Sequence, residues 1–278
     1  MDLNAICYSE GKFSRLSDTT LPISDLGIQR GYGIFDFLRV RNTTPLFLAD
    51  HITRFYQSAD QMNMKVDLSS NQLREIILHL IDRNNYPHSG IRILLTGGDS
   101  EDGYALQKPR LSIQHQPLQP PPDVFSSHGI KLFSYSHQRQ LSNVKTTDYI
   151  MAIWLQPWLK SLQGDDILYQ NDKSVLECPR SNVFMITKNQ ELITPEEHVL
   201  KGVTRKQILD LAQSIGFKTT CRAVPLEEMM SAEEVFISSS TKRIVPVSEI
   251  NGKKIGNNSF RFSELIWKAF YELELGQG

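Results

Sequence analysis

Apolar residues recur along this chain in two rhythms, every second position and every third or fourth, and the switches between them mark the predicted elements. AICYSEGKFSRL alternates around Gly11 and predicts a hairpin, and RVRNTTPLFL predicts another around Asn42, Thr43 and Thr44. From Asp50 the rhythm changes. Ile52, Phe55, Ala59 and Met62 fall on one helical face, with Asp50 as N-cap and Arg54 off the most apolar line. SNQLREIILHLIDR predicts a second helix, capped by Ser70, that turns Leu73, Ile76, Ile77, Leu80 and Ile81 inward, and IRILLT predicts a strand ended by Gly97 and Gly98.

The run QPLQPPPD at 116–123 breaks both rhythms, and consecutive prolines favour an extended chain. The expected division is a 1–117 N-terminal α/β domain, a proline-rich linker at 118–125 and a 126–278 C-terminal domain. Beyond the linker GIKLFSYS reads as a strand. DYIMAIWLQPWLKSLQG reads as a helix from Asp148 to Gly164 that Pro157 kinks or splits. DILYQ, SVLE, SNVFMI and ELIT predict four short strands in a meander, and GVTRKQILDLAQSIG a helix with Thr204 in its capping region and Gly216 after its end. VFISSS and IVPVSEI are strands, Asn251 and Gly252 a turn, and SELIWKAFYEL a closing helix. No internal repeat is visible. The pattern is a two-domain α/β (α+β) protein, a class in which the interdomain cleft is the usual ligand site.

At 278 residues and 40% apolar content the chain can bury a real core. Thirty basic against thirty-one acidic residues give a net charge of -1, which provides no general field for nucleic acid or anionic lipid and favours a small-molecule ligand. The first thirty residues lack a signal pattern and no apolar run reaches the roughly eighteen residues of a membrane span, so a cytoplasmic location is expected. Cys7, Cys178 and Cys221 are scattered, with no CxxC and no zinc-ligand spacing, so no metal is expected.

Candidate chemistry lies at Lys145 in LSNVKTTDY, Glu177 in SVLECPRSN, and two glycine- or hydroxyl-rich segments, Gly202 to Thr204 and Ser238 to Thr241. Singly, each has an ordinary reading as a solvated lysine, a surface carboxylate or a loop. Their order decides. FLADHITRFYQSA, VKTTDY, DILYQNDKSVLECPRSNVFMI, ITP with LKGVTRKQIL, and SSSTKRIVPVSEING follow one another as in the fold-type IV pyridoxal phosphate enzymes, the class IV aminotransferases, with a 32-residue step from Lys145 to Glu177. The chain resembles that family over most of its length.

The resemblance implies pyridoxal 5′-phosphate as cofactor, amino acid and 2-oxo acid as substrates, a homodimer, a C-terminal domain that carries the cofactor lysine, and an active site in the interdomain cleft. Lys145 and Glu177 would be catalytic: Lys145 would carry the cofactor and shuttle a proton, a task that suits a buried amine, and Glu177 would pair with the pyridine nitrogen. Arg54, the backbone N–H groups at Val203 and Thr204, and Ser240 and Thr241 would hold the phosphate, since a helix N-terminus offers unpaired donors. Tyr149 would lie near the cofactor's phenolic oxygen or be a core tyrosine.

The chain also departs from the family. In LGIQRGYGIFDFLRV, counted back from Phe35 and Asp36, Arg30 falls where most members carry an aromatic. In TGGDSEDGY the basic pair of the D-amino acid enzymes is missing: Gly97 stands at the arginine position, and Asp99 or Ser100 at the histidine position. Arg30, Arg92 and Arg180 are candidates for a substitute carboxylate clamp worth roughly 1.5 to 3 kcal/mol per bidentate contact. The functional expectation is an aminotransferase, D-amino acid type with that clamp. The alternatives are a branched-chain (L) aminotransferase, an aminodeoxychorismate lyase-type enzyme suggested by GGDSEDGY and ECP, and, remotely, a non-catalytic metabolite-binding homologue.

Overall fold

The computed structural model describes residues 2–257 and 259–277, which form two units that divide between Pro120 and Pro121. In the first, β1 (Ile6–Ser9) and β2 (Lys12–Arg15) make the predicted hairpin. Then come α1 (Leu26–Gln29), β3 (Gly33–Arg41), β4 (Thr44–Pro45), α2 (Leu48–Gln61), α3 (Ser70–Asn84), β5 (His88–Thr96) and β6 (Arg110–Pro117). The six strands form one antiparallel sheet in the order β2-β1-β6-β5-β3-β4. Alternation on β3 and β5 turns Ile34, Leu38, Ile91, Ile93 and Leu95 onto Phe55, Ala59, Leu73, Ile77 and Leu80 of α2 and α3, which builds the core on one face. The opposite face carries Phe35, Phe37 and Arg92.

Both helices start ahead of their predicted caps. α2 begins after Phe47 in the left-handed region (φ 53°), and Asp50 lies in its first turn, where its charge suits the helix dipole. Ser69, not Ser70, caps α3, because Gln72 three residues on closes a capping box with it. β6 went unpredicted: its polar alternation runs straight into the proline-rich segment.

The second unit contains β7 (Ile130–Ser136), α4 (Ile150–Trp154), α5 (Gln156–Ser161), β8 (Asp166–Gln170), β9 (Glu177–Cys178), β10 (Ser181–Ile186), β11 (Glu191–Thr194) and α6 (Val203–Ser214). β12 (Lys218–Cys221), α7 (Leu226–Met230), β13 (Glu234–Ser239), β14 (Arg243–Ile250), β15 (Lys253–Lys254) and α8 (Arg261–Leu275) complete it. The predicted break at Pro157 occurs, with α4 ending at Trp154 and α5 starting at Gln156. The expected four-strand meander is only partly formed. β9, β10 and β11 are antiparallel neighbours, but β8 pairs parallel with β7 at the far edge of a sheet ordered β12-β11-β10-β13-β14-β7-β8. Every residue of β10 is buried. Val183 and Met185 enter one core, and on the other face Phe184 stacks on Phe236 at 4.8 Å.

Two segments settle where the candidate residues stand. Val144–Asp148, expected with the second domain, groups with the first unit: Lys145 C=O accepts from Phe35 N–H (2.9 Å) and Gly33 C=O from Thr147 N–H (2.9 Å), extending the sheet beside β3. In the second unit the turn after β13 ends on Arg243 (φ 59°), which is 1% exposed. Its guanidinium donates to Glu274 Oε2 (2.6 Å), Pro122 C=O (2.6 Å) and Asp123 Oδ1 (3.1 Å) and lies over the Tyr271 ring. Removing one partner of a buried ion pair strands the other charge. Glu274→Ala is therefore expected to cost about 3 kcal/mol or more, read as a lower urea midpoint at unchanged slope.

Candidate active site

Two groups of polar side chains are buried at a cost only their pairing can offset. In the first unit Asp36, fully buried on β3, takes Arg54 Nε on Oδ2 and Nη2 on Oδ1, both at 2.8 Å, and His51 Nδ1 lies 2.7 Å from Oδ1. Burial alone would push the Asp36 carboxyl up, but the Arg54 guanidinium and His51 outweigh it and hold it well below the carboxylate range. Burial pushes the His51 imidazole down, against the pull of Asp36, so it is neutral near pH 7 and its Nδ1–H donates to the carboxylate.

Lys145 is half-buried, and its Nζ stands 4.5 Å from the centre of the Phe35 ring. The Arg92 guanidinium lies over the same ring at 5.0 Å and over Phe37 at 5.6 Å. Two cations thus share one aromatic ring on the face opposite the helices, a local positive field in a chain of nearly zero net charge.

In the second unit Glu177 is 5% exposed. Its Oε1 accepts from Arg139 Nε (2.9 Å) and Nη2 (2.7 Å), and Oε2 accepts from Leu200 N–H (3.0 Å). These donors fix the orientation of the carboxylate. The following thiol, Cys178, is also buried, and burial pushes it well up, so it stays protonated.

Close by in sequence, α6 opens at Gly202 with no side-chain cap and no acidic residue in its first turn. Its first N–H groups, those of Val203 and Thr204 among them, have no intrahelical acceptor. Only glycine fits at 202, where a Cβ would stand 2.3 Å from Asn182 Oδ1. Asn182 and Ser238 are directly opposed on β10 and β13 and share a face. Ser238 is 1% exposed and its hydroxyl has no hydrogen-bond partner among the described residues. Thr204 Oγ1 lies 3.5 Å from Ser240 Oγ, and Thr241 follows, exposed, in the same turn. Uncapped N–H groups, a glycine at the closest approach and an orphaned buried hydroxyl together suit a compact anion such as a phosphate.

The remaining predicted residues stand elsewhere. Arg30 is exposed and donates to the carbonyls of Gly103 (3.1 Å) and Gln29 (3.2 Å), tying the end of α1 to the 99–105 loop. Gly31 in the left-handed region (φ 67°) then turns the chain into β3, while Gly27 lies within α1 and Gly33 opens β3. Arg180 is exposed in the turn between β9 and β10, and Tyr149 is half-buried just ahead of α4. Asp99 accepts from Ser24 (2.7 Å) and Arg110 (2.7 Å). Lys242 pairs with Asp166 (2.7 Å). Arg139 and Asp36 were missed by sequence reasoning, whereas Ser238 opens the hydroxyl-rich segment it singled out. Of the two missed, only Asp36 leaves a trace in the sequence, as a carboxylate at an inward position of an alternating strand. Among the described residues no group of three or more His, Cys, Asp or Glu side chains could hold a metal ion, and no helix is long and apolar enough to cross a membrane.

Comparison with known proteins is consistent across sequence and structure. Residues 33–250 match the family model described as amino-transferase class IV. The chain is 26% identical over 254 residues to a D-alanine aminotransferase of Bacillus licheniformis, covering 90% of this chain and 89% of that one. It is 26% identical over 302 residues to a branched-chain-amino-acid aminotransferase of Pseudomonas aeruginosa, covering 99% and 95%. The fold superposes with TM-score 0.88 on the branched-chain amino acid aminotransferase of Escherichia coli, at 21% identity and covering 99% and 95%. Another branched-chain amino acid aminotransferase, solved with pyridoxamine 5′-phosphate, superposes with TM-score 0.90 at 19% identity and the same coverage.

Two outcomes follow from the buried charges. Arg139→Ala removes the guanidinium paired with the buried Glu177 carboxylate and should cost about 3 kcal/mol in urea unfolding at pH 7. The Asp36 carboxyl, lowered in the fold from 3.8, contributes stability that is present above 3.8 and lost as pH falls toward its folded value. Asp36→Asn should therefore be markedly less stable than wild type at pH 7, with the gap narrowing as unfolding is measured at progressively lower pH below 4.

Proposed function

The chain belongs to the class IV aminotransferases, enzymes that work with pyridoxal 5′-phosphate, and on that premise we propose that it moves an amino group between an amino acid and a 2-oxo acid, with Lys145 and Glu177 as its catalytic residues. The observation that carries the reading is Lys145, set by main-chain pairing beside β3 with its Nζ on the Phe35 ring. The neutral amine of a lysine is the form that bonds to a carbonyl and accepts a proton.

The residues fit the cofactor. The phosphate would take the N–H groups of Val203 and Thr204, the hydroxyls of Thr204, Ser240 and Thr241, and the part of Arg54 not engaged with Asp36. Glu177 would face the ring nitrogen as a carboxylate oriented by Arg139, and Tyr149 would stand near the phenolic oxygen. When bound, the cofactor supplies a ring that accepts the electron pair left at the substrate's α-carbon. Lys145 Nζ would take the proton from that carbon and deliver it to the cofactor's C4′, a positioned proton transfer worth roughly two to four orders of magnitude in rate.

Arg92 is assigned the substrate carboxylate, because its guanidinium shares the Phe35 ring with Lys145. Arg30 spends two donors on main-chain carbonyls and shapes the 99–105 loop instead. The stereochemical class is taken as D-amino acid, supported by likeness to the D-alanine enzyme. A branched-chain L-amino acid enzyme is the second reading, supported by the Pseudomonas relative. A homodimeric, cytoplasmic form belongs to the same reading.

The test is a half-reaction panel of D- and L-amino acids on the purified holoenzyme, followed by cofactor absorbance. Conversion to the amine form of the cofactor is expected with amino acids of one hand. Lys145→Ala should slow it by at least about a hundredfold. Failure of every amino acid of both hands would overturn the transaminase reading in favour of a lyase.

A further inference from the structure

The main chain of Leu200 is held from both sides. Its N–H donates to Glu177 Oε2 (3.0 Å), and its C=O accepts from Asn182 Nδ2 (2.8 Å) and from Gly202 N–H (2.9 Å). Asn182 stands opposite Glu177 in the β9–β10 register and opposite Ser238 in the β10–β13 register, and it is 7% exposed. Its Oδ1 faces Gly202, where a Cβ would stand only 2.3 Å away. One buried side chain on a strand that is itself buried throughout thus fastens the Leu200–Gly202 segment, which joins the Glu177 carboxylate to the first turn of α6.

That segment connects the two ends of the proposed cofactor site, Glu177 for the ring nitrogen and the N–H groups of Val203 and Thr204 for the phosphate. In the cofactor these groups are joined through a planar ring and a short arm, so their separation varies little. A site whose two ends already stand at a matching separation binds both at once without losing further freedom. A site with a loose connection must be ordered during binding, and affinity falls by that amount. A fragment that fits only one end is indifferent to the separation.

We propose that Asn182 is a positioning residue that sets the spacing between Glu177 and the start of α6, so that ring and phosphate are bound as one unit. This rests on the assignment of those two elements to the ring nitrogen and the phosphate. Its signature is selective. Losing the Asn182 amide weakens binding of a molecule that carries both groups and spares molecules that carry one.

The experiment uses the full chain freed of cofactor and three probes, pyridoxamine 5′-phosphate, pyridoxamine and inorganic phosphate, none of which bonds to Lys145. Dissociation constants come from calorimetry, with the weak probes measured by competition against pyridoxamine 5′-phosphate. Asn182→Ala should raise the Kd of pyridoxamine 5′-phosphate about five- to tenfold, the effect of one lost hydrogen bond, and move the other two by less than about twofold. Gly202→Ala tests the same contact from its other side and gives a second reading if Asn182→Ala folds poorly. The backbone at 202 (φ -63°) accepts alanine, and the new Cβ must push the Asn182 amide off Leu200. It should therefore reproduce the pattern alone and be silent in the Asn182→Ala background. A further loss in that double variant, or a rise for inorganic phosphate equal to that for pyridoxamine 5′-phosphate, would mean that the contact shapes the phosphate end only, which overturns the proposal. Equal rises for all three probes would mark a merely structural role and overturn it as well. Glu177→Gln should weaken pyridoxamine and pyridoxamine 5′-phosphate together. If it does while Asn182→Ala and Gly202→Ala change nothing, the spacing role falls and the Glu177 assignment stands; if it weakens neither, that assignment falls and the proposal with it.

Discussion

A carboxylate with no solvent exposure cannot remain charged alone, and Asp36 makes that constraint the organising one of the first unit. It sits in the middle of an otherwise apolar strand face, so α2 must present its two polar partners there. His51 and Arg54 are three residues apart and fall on one side of the helix. The rotation of α2 against β3 is thereby fixed by charge as well as by the packing of Ile52, Phe55 and Ala59. It also commits one edge of Arg54, leaving the guanidinium's outer nitrogen as the donor not engaged with Asp36.

The same pattern of internal pairing recurs across the chain. Arg243 with Glu274, Arg139 with Glu177, Arg110 with Glu10, and Arg205 with Glu196 each neutralise charge where it stands. In a chain with nearly balanced charge, positive character is local: cations cluster on the Phe35 ring, and a helix end is left uncapped at Gly202.

Periodicity in the sequence revealed α2, α3, α6 and α8 and the hairpins, because each buries one face and its pattern is local. It missed β6 and β12, which are polar and lean on neighbours remote in sequence, and it misplaced β8, whose partner β7 lies before two helices. The candidate site divides the same way. Lys145, Glu177 and the start of α6 stand in ordered segments that can be read directly. Arg139 touches Glu177 across 38 residues of chain and nothing nearby announces it. Arg30 and Arg92 were equivalent in sequence; register separated them, since only Arg92 lies opposite Phe37.

Segment Val144–Asp148 completes the first unit although more than twenty residues of the second unit precede it. As the chain emerges during synthesis, residues 1–120 can collapse on α2 and α3 while Gly33–Phe35 still present an unfilled sheet edge. That edge closes only when Lys145 and Thr147 arrive. The reactive lysine is thus among the last parts of its own sheet to be set in place, and until then the first half of the protein carries the hazard of any exposed strand, pairing with the wrong partner.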